Sequence, residues 1–158
     1  MNDKQIIGKA EEISLPELQA ETVCARVDTG AKTSAIWVSK VKETSEGLEV
    51  TFFGPGSPFY TGKSVLFGTY SETVVASSNG AMERRYKVRL LIEISGRRIR
   101  AGFTLADRSA QVYPILVGRN VLRGKFLVDV SLGSEAMRDH EKQRSNILKG
   151  GLKKEIEK

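Results

Sequence analysis

The sequence is poor in the side chains that most metal centres and nucleophilic sites require, since it has one cysteine, Cys24, and one histidine, His140. A single cysteine cannot form an internal disulfide, and its place in the alternating run TVCARV predicts a small buried side chain. Tetrahedral zinc sites are built mainly from Cys and His, so we expect no bound metal. A Ser-His-Asp arrangement would depend on His140, which lies in a charged segment and is predicted to be solvated.

The sequence also lacks an apolar run of membrane-spanning length. Its first residues, MNDKQIIGKAEE, lack the charged-then-apolar pattern of a secretory signal. These absences predict a cytoplasmic protein that does not enter a membrane. With 158 residues, of which 40% are hydrophobic, the chain is long enough for one compact domain.

A complete phosphate-binding loop is absent as well. The tripeptide Gly62-Lys63-Ser64 matches the end of that motif, but Gly56 lies one residue too far from Gly62 for its spacing. No strand-to-helix step is predicted around it. The sequence therefore does not predict ATP binding by this route. We expect no cofactor.

The charge is biased toward lysine and arginine, with a formal net charge of +6 that is unevenly distributed. Residues 84–100 contain seven Lys or Arg against one acid, Glu93. In residues 86–107 the apolar residues fall on one side of a period-two pattern around Ser95-Gly96, and most charges fall on the other, which is typical of a half-solvated hairpin. The predicted apolar side consists of Val88, Leu90, Ile92, Ile94, Ile99, Ala101, Phe103 and Leu105. Because no aromatic stacking platform is interleaved with the charges, the pattern favours a solvated sheet face over a nucleic-acid surface.

Short β-like runs recur along the chain, with turn-forming clusters such as GPGSP and SSNG between them. Besides the hairpin, these runs lie at residues 22–27, 35–38, 48–53, 64–67, 73–77, 115–117 and 126–130. The pattern predicts an all-β barrel or sandwich-like domain with one short internal helix at residues 120–123. We expect the β domain to span residues 1–133, and residues 134–158 to form a charged, partly helical tail with a peripheral helix.

Two segments combine into a more specific pattern. Asp28-Thr29-Gly30-Ala31 directly follows an apolar strand, and the run 115–117 ends at Gly118 and continues into Arg119-Asn120. Alone, Asp-Thr-Gly is weak evidence, since turns at strand ends use the same residues. The pair of segments resembles the active-site turn of retroviral-type aspartic proteases and the segment that packs behind it.

The resemblance extends to a bacterial family. The segments RVDTGAKTSAI, VVASSNGAMERR and TLADRSAQVYPILVGRNVLRGKFLVDVS together resemble the proteins described as ATP-dependent zinc proteases, which are associated with a peptide-modifying ATP-grasp ligase and grouped by fold with the retropepsins. The resemblance implies a retropepsin-like closed β-barrel, a possible ATP-grasp ligase partner, and Asp28 as the catalytic residue. It also implies supporting roles in the active site for Thr29, Gly30, Ala31, Lys32, Ser34, Gly118, Arg119 and Asn120.

The chain departs from its relatives at two positions. Family members commonly carry a His shortly after a Ser-Ala-Leu segment, whereas this sequence has Trp37 after Ser34-Ala35-Ile36. Retroviral proteases carry an acid directly after Asp-Thr-Gly-Ala, whereas this chain has Lys32. The first departure argues against a conventional zinc site. The second means that an acidic partner for Arg119 must come from elsewhere.

An aspartic peptidase needs two carboxylates that share a proton, one to accept a proton from water and one to protonate the substrate carbonyl. This chain has one such motif, so the resemblance implies that a second Asp28 comes from an identical subunit across a two-fold axis. The predicted function is therefore a homodimeric aspartic-type peptidase that acts on a peptide, a protein or an amide-linked peptide tail.

Other interpretations stay open. Asp28 could instead cap its turn by accepting the backbone N–H groups of Gly30 and Ala31. The chain would then be a non-catalytic peptide-binding or regulatory module that works with a ligase. The family name alone implies a third possibility, a zinc-dependent hydrolase. A flap over the cleft could be formed by the loop at residues 54–62 or by the turn at residues 77–84.

Overall fold

The computed structural model describes residues 3–76, 79–134, 138, 140–142 and 144–149. The strands in these residues are β1 (Gln5–Ile7), β2 (Ala10–Leu15), β3 (Ala20–Val27), β4 (Ser34–Thr44), β5 (Gly47–Phe52), β6 (Ser64–Phe67), β7 (Ser71–Ala76), β8 (Met82–Ile94), β9 (Arg97–Ala106), β10 (Ile115–Val117) and β11 (Phe126–Val128). A 3-10 turn, Pro16–Leu18, follows β2, and the helix α1 (Arg119–Leu122) lies between β10 and β11. The protein is mostly β, as the sequence predicts.

Six of the strands pair in a ring. Their order is β10, β3, β2, β8, β9 and β4, and β10 also pairs with β4, which joins the two ends of this order. β5 and β6 continue outward from β4, and β7 pairs with β8 outside the ring. All six ring strands contribute fully buried side chains to the core, among them Leu15, Val23, Ile36, Leu90, Phe103 and Ile115.

The β8–β9 hairpin confirms the alternation seen in the sequence. The residues predicted to lie on its apolar side are all buried: Val88, Leu90, Ile92, Ile94, Ile99, Ala101, Phe103 and Leu105. Ser95 and Gly96 form the connecting turn with positive φ angles of 49° and 78°. Two positive φ angles are typical of the short turns whose twist matches that of antiparallel strands.

Other elements differ from the sequence prediction in extent. The sequence pattern does not predict β2, because two adjacent glutamates, Glu11 and Glu12, interrupt the alternation of its buried residues. It predicts a strand over 35–38, whereas β4 is longer because its second half pairs with β5. The predicted helix at 120–123 is present but lies one residue earlier, at Arg119–Leu122.

A second, two-stranded sheet pairs β1 with β11 in parallel and sets Ile6 opposite Leu127. Both side chains are exposed, as are Val130 and Leu132 in the segment after β11. This segment returns to the ring, since the N–H of Lys9 donates to the carbonyl of Leu132 at 3.0 Å. We refer to Ile6, Leu127, Val130 and Leu132 as the exposed apolar group.

The described part of the predicted C-terminal tail is helical and contacts the β domain. The Arg144 guanidinium lies 5.0 Å from the centre of the Trp37 ring, and the rings of His140 and Tyr113 are 5.5 Å apart. The prediction that His140 is solvated is wrong, because the tail helix packs on the loop before β10 and leaves this ring half-buried. The rest of the predicted tail, residues 150–158, lies outside the described residues. None of the described helices is long and apolar enough to span a membrane.

Replacing Ile115 by alanine should destabilise the protein, because Ile115 is fully buried and pairs with Ala25 of β3 and Ile36 of β4. Truncating a buried isoleucine in this way costs about 2–5 kcal/mol of unfolding free energy. Leu66→Ala is the control, since Leu66 is exposed on β6 and its loss should cost less than about 1 kcal/mol. Urea unfolding at one protein concentration measures both, and equal losses would contradict this packing.

Candidate active site

The turn that contains Asp28 begins where β3 ends beside β10. The Asp28 N–H donates to the Val117 carbonyl at 2.9 Å, and the Ala31 N–H donates to the Asp28 carbonyl at 3.2 Å. The Asp28 Oδ1 accepts the Gly30 N–H at 2.9 Å. One carboxylate oxygen therefore caps the turn, as the capping interpretation predicts for Gly30. The capping interpretation also predicts that the carboxylate accepts the Ala31 N–H, but this group donates to the backbone carbonyl of Asp28 instead.

β10 and α1 lie directly behind this turn, as the resemblance to aspartic proteases implies. The Arg119 N–H donates to the Ala31 carbonyl at 2.8 Å. At Gly118 the chains approach so closely that a Cβ would lie 2.8 Å from the Thr33 carbonyl carbon and 2.9 Å from the Ala31 oxygen. The φ angle of Gly118 is −98°, which any residue can adopt. Space, rather than backbone conformation, therefore requires glycine here.

Ser34 and Asn120 connect the two segments through their side chains. The Asn120 Oδ1 accepts the Ser34 N–H at 3.0 Å and the Ser34 hydroxyl at 2.8 Å. The Ser34 Oγ in turn accepts the Gly118 N–H at 2.9 Å, and the Asn120 Nδ2 donates to the Gly102 carbonyl at 2.8 Å. Because Ser34 is fully buried, these hydrogen bonds satisfy groups that water cannot reach. The network holds the turn, α1 and β9 in one arrangement.

The predicted site residues come together around one turn, although they differ in exposure. Asp28 is half-buried, whereas Thr29, Gly30 and Lys32 are exposed. Within the part of the chain that the structure describes, neither Lys32 nor Arg119 forms an ion pair. The outer edge of the Asp-Thr-Gly turn is thus accessible to another molecule.

Three arginines near Asp28 are not found by the sequence analysis. Arg26 lies on β3 two residues before Asp28, Arg85 lies on β8, and Arg108 follows β9. The pKa of the Arg108 guanidinium is lowered to about 10 by burial and by the positive charges of Arg85 and Arg26, while the negative charge of Asp28 opposes this shift. Arg108 stays protonated at neutral pH, so positive charge is concentrated beside Asp28. A charged residue inside the otherwise apolar run VCARV is the one signal in the sequence that points to this cluster.

The described residues contain no group of three or more His, Cys, Asp or Glu side chains that could hold a metal ion. Trp37, the residue after Ser34-Ala35-Ile36, is buried and packs against Gly54. Cys24 is a buried free cysteine, as its alternating context predicts, and His140 contacts Tyr113. These residues do not fit a zinc site.

An Asp-Thr-Gly turn with a short strand and a Gly-Arg-Asn helix start packed behind it, on a ring of β-strands, defines the retropepsin-like class. A family model described as "RimB-like: Retropepsin-like aspartic endopeptidase RimB" matches residues 6–139. The chain belongs to this family. The resemblance drawn from the sequence motifs is therefore confirmed.

Curated relatives carry a different name. The "Probable alpha-L-glutamate ligase" of Shewanella halifaxensis is 30% identical over 134 residues, which cover 82% of this chain and 29% of that protein. The protein of the same name from Parasynechococcus marenigrum is 29% identical over 161 residues, which cover 98% of this chain and 34% of that protein. The chain thus spans about a third of the length of these relatives.

A solved structure has the same fold. The crystal structure of Lpg0085, a protein of unknown function from Legionella pneumophila, matches with a TM-score of 0.63 and 24% identity. The match covers 81% of this chain and 95% of that one. At this level of identity the similarity concerns the fold alone.

Replacing Gly118 by alanine should destabilise the protein, because the added methyl group would overlap the backbone of Thr33 and Ala31. Overpacking of this kind costs about 1–3 kcal/mol of unfolding free energy. Gly68→Ala is the control, since a Cβ at Gly68 would meet no atom within 4 Å. Thermal and urea unfolding of both variants measure the difference, and a Gly118→Ala protein as stable as the control would refute the close approach.

Proposed function

We propose that this protein is an aspartic-type peptidase that works as a homodimer on a peptide or an amide-linked peptide tail. The observation that carries the proposal is the Asp28 turn, which has β10 and α1 behind it in a chain of the retropepsin-like family. Each chain has one Asp-Thr-Gly motif. An aspartic peptidase needs two carboxylates, so the second Asp28 comes from an identical chain.

The proposed chemistry uses the two Asp28 carboxylates with one shared proton. The ionised carboxylate takes a proton from a water molecule, whose oxygen attacks the amide carbon, while the protonated carboxyl group donates its proton to the carbonyl oxygen. The C–N bond of the tetrahedral intermediate then breaks as its nitrogen is protonated, which releases an amine and a carboxylic acid. Two carboxylates at close range share a proton readily because like charges disfavour ionisation of both.

The neighbouring residues have roles in this scheme that follow from their positions. Thr29 is exposed at the edge of the turn, where its hydroxyl can hydrogen-bond to the opposing turn. Gly30 has no side chain, so the substrate backbone can approach the carboxylates. Lys32 is exposed to solvent, and we assign it no direct part in the reaction.

The exposed apolar group supports a dimer. Ile6, Leu127, Val130 and Leu132 leave apolar surface open to water on one chain. The segment that carries Leu132 lies next to Lys9, whose carbonyl accepts the N–H of Val27, the residue before Asp28. Covering this group with a second copy would remove apolar surface from water close to the active-site turn.

The name of the curated relatives supports a proposal for the substrate class. They are named alpha-L-glutamate ligases, and this chain matches about a third of their length. We therefore propose that the bond cleaved is an amide in a glutamate-containing peptide tail of the kind that such a ligase forms. The same relatives support a second candidate function, a non-catalytic module that binds such a tail and regulates a ligase.

The proposed flap over the cleft is the β7–β8 hairpin. Most residues of β7 and the first residues of β8 are exposed, and β7 pairs with β8 alone. The other candidate, the loop at residues 54–62, packs against the core, since the rings of Phe53 and Phe59 lie 5.6 Å apart. Residues 77–78, which follow β7 in the sequence, lie outside the described residues.

A homodimer should be detectable by sedimentation across micromolar to high-micromolar concentrations. Ile6→Glu should weaken it, because the substitution puts a charge into the exposed apolar group. Leu66→Glu places the same charge on β6, which lies in a different sheet, and should leave the dimer intact. A wild-type chain that stays monomeric at all these concentrations, with and without a glutamate-containing peptide, would eliminate the dimeric peptidase.

Asp28→Asn should abolish hydrolysis and leave the fold intact. Asparagine can still accept the Gly30 N–H, but it cannot take a proton from water, so cleavage of a peptide library should fall by about 100-fold or more. The unfolding temperature should hold or rise, because two facing negative charges are removed.

Asp129→Asn is the matched control, since the Asp129 Oδ1 accepts the Ser131 N–H at 2.9 Å in a turn of the same kind. It removes an equal charge away from the Asp28 turn. Because Asp129 lies beside Val130 of the exposed apolar group, sedimentation first establishes that the variant still forms the dimer, and its cleavage should then equal that of the wild type. Both variants are assayed at several pH values between mildly acidic and neutral. Cleavage that survives Asp28→Asn would exclude Asp28 from the mechanism, and with it the aspartic-peptidase assignment.

A further inference from the structure

Two of the three arginines that the sequence analysis misses line one cavity, and one of them lies two residues before Asp28. Arg26 and Arg108 share this cavity with Gln111, Tyr113 and Glu141. Arg26 is the second-last residue of β3, where it pairs with Leu116 of β10 and Ala10 of β2. Because β3 ends at Val27, directly before Asp28, only one residue separates Arg26 from the proposed catalytic carboxylate.

Arg108 is held in a defined position on the other side of the cavity. Its Nε donates to the Tyr113 carbonyl at 2.9 Å, and the side chain is half-buried. This contact uses one N–H and leaves the remaining guanidinium donors available, since the structure assigns Arg108 no ion pair with a described residue. A fixed guanidinium with free donors is well suited to bidentate contact with a carboxylate.

The positive charge at this place is only partly balanced, since neither Arg26 nor Arg108 forms an ion pair with a described residue. Arg108 interacts with the positive charges of Arg85 and Arg26 and with the negative charge of Asp28, and the carboxylate of Glu141 lines the same cavity. Arg85 has one partner, Glu83, which accepts from its side chain at 3.1 Å, and its buried Nε has no hydrogen-bond partner. An anionic group between Arg26 and Arg108 would relieve the mutual repulsion of these guanidinium groups.

The tail helix shows that a carboxylate can enter this cavity. Glu141 lies in its lining, where its carboxylate accepts a hydrogen bond from the Tyr113 hydroxyl. Burial raises the pKa of Tyr113, and this hydrogen bond raises it further. The tail carboxylate therefore contacts Tyr113, the residue whose carbonyl orients Arg108.

We propose that Arg26 and Arg108 form a carboxylate-binding subsite that selects substrates with an acidic side chain beside the scissile bond. The inference rests on the proposed function, because it takes the Asp28 turn as the place of cleavage. The proposal assigns the selection of acidic substrates to Arg26 and Arg108, and the family motif specifies no role for either residue. Lysine would serve poorly at position 108, since its ammonium group cannot keep the hydrogen bond to Tyr113 and present a planar pair of donors at once.

The test compares two fluorogenic peptides that are identical except that glutamates in one are glutamines in the other. Wild-type protein should cleave the glutamate peptide with a kcat/KM at least about tenfold higher, as expected for a charge-assisted hydrogen bond. Arg26→Gln and Arg108→Gln should each reduce this ratio several-fold, mainly through KM. Arg26 is exposed, so Arg26→Gln tests the subsite even if Arg108→Gln does not fold.

Arg98→Gln is the matched control, because it removes the same charge from the exposed end of the β8–β9 hairpin, where Arg98 pairs with Glu93. Its glutamate-to-glutamine ratio should equal that of the wild type. A wild-type ratio near one would overturn the subsite, as would an unchanged ratio in the arginine variants that fold.

A binding measurement with the same two peptides distinguishes a failure of the proposed peptidase activity from a failure of the proposed subsite. If wild-type protein cleaves neither peptide, the proposed function fails, and fluorescence anisotropy then tests the subsite alone. Tighter binding of the glutamate peptide that is lost in Arg26→Gln but kept in Arg98→Gln would support the subsite. Equal affinity for the two peptides would overturn it.

Discussion

The pairing of β10 with two strands at once is the interaction on which the rest of the structure depends. This three-residue strand runs parallel to β3 and antiparallel to β4, so it joins the ends of the six-stranded ring. Its last residue, Val117, accepts the Asp28 N–H, and the next residue, Gly118, donates to Ser34. The same few residues therefore complete the core and fix the position of the candidate catalytic carboxylate, which couples the stability of the fold to the geometry of the site.

The surroundings of Asp28 differ in charge from those of a purely apolar cleft. Arg26 on β3 and Arg108 after β9 line one cavity, and the positive charge of Arg85 on β8 also acts on Arg108. In the proposed function, positive charge there would attract anionic peptides and raise the local concentration of an acidic substrate near the carboxylates. A substrate of this kind agrees with the name of the curated relatives, probable alpha-L-glutamate ligase.

How much could be predicted from the sequence depends on the range of the interactions. The β8–β9 hairpin and its core side follow from alternation within about twenty residues, and the Asp28 turn and the Gly118 segment follow from short motifs. The proximity of Arg108 to Arg26 depends on strand order across the ring, which no local pattern encodes. The prediction for His140 is wrong for the same reason. The composition of the tail does not indicate that its helix packs on the loop that contains Tyr113.

The central claim is that two Asp28 carboxylates face each other across a two-fold axis. A crystal structure of the dimer found in solution measures the separation of these carboxylates directly. We expect their nearest oxygens to lie within hydrogen-bond distance, about 2.6–3.2 Å, because a shared proton requires it. A dimer whose Asp28 carboxylates lie more than about 6 Å apart, too far even for a single bridging water, would contradict the peptidase mechanism.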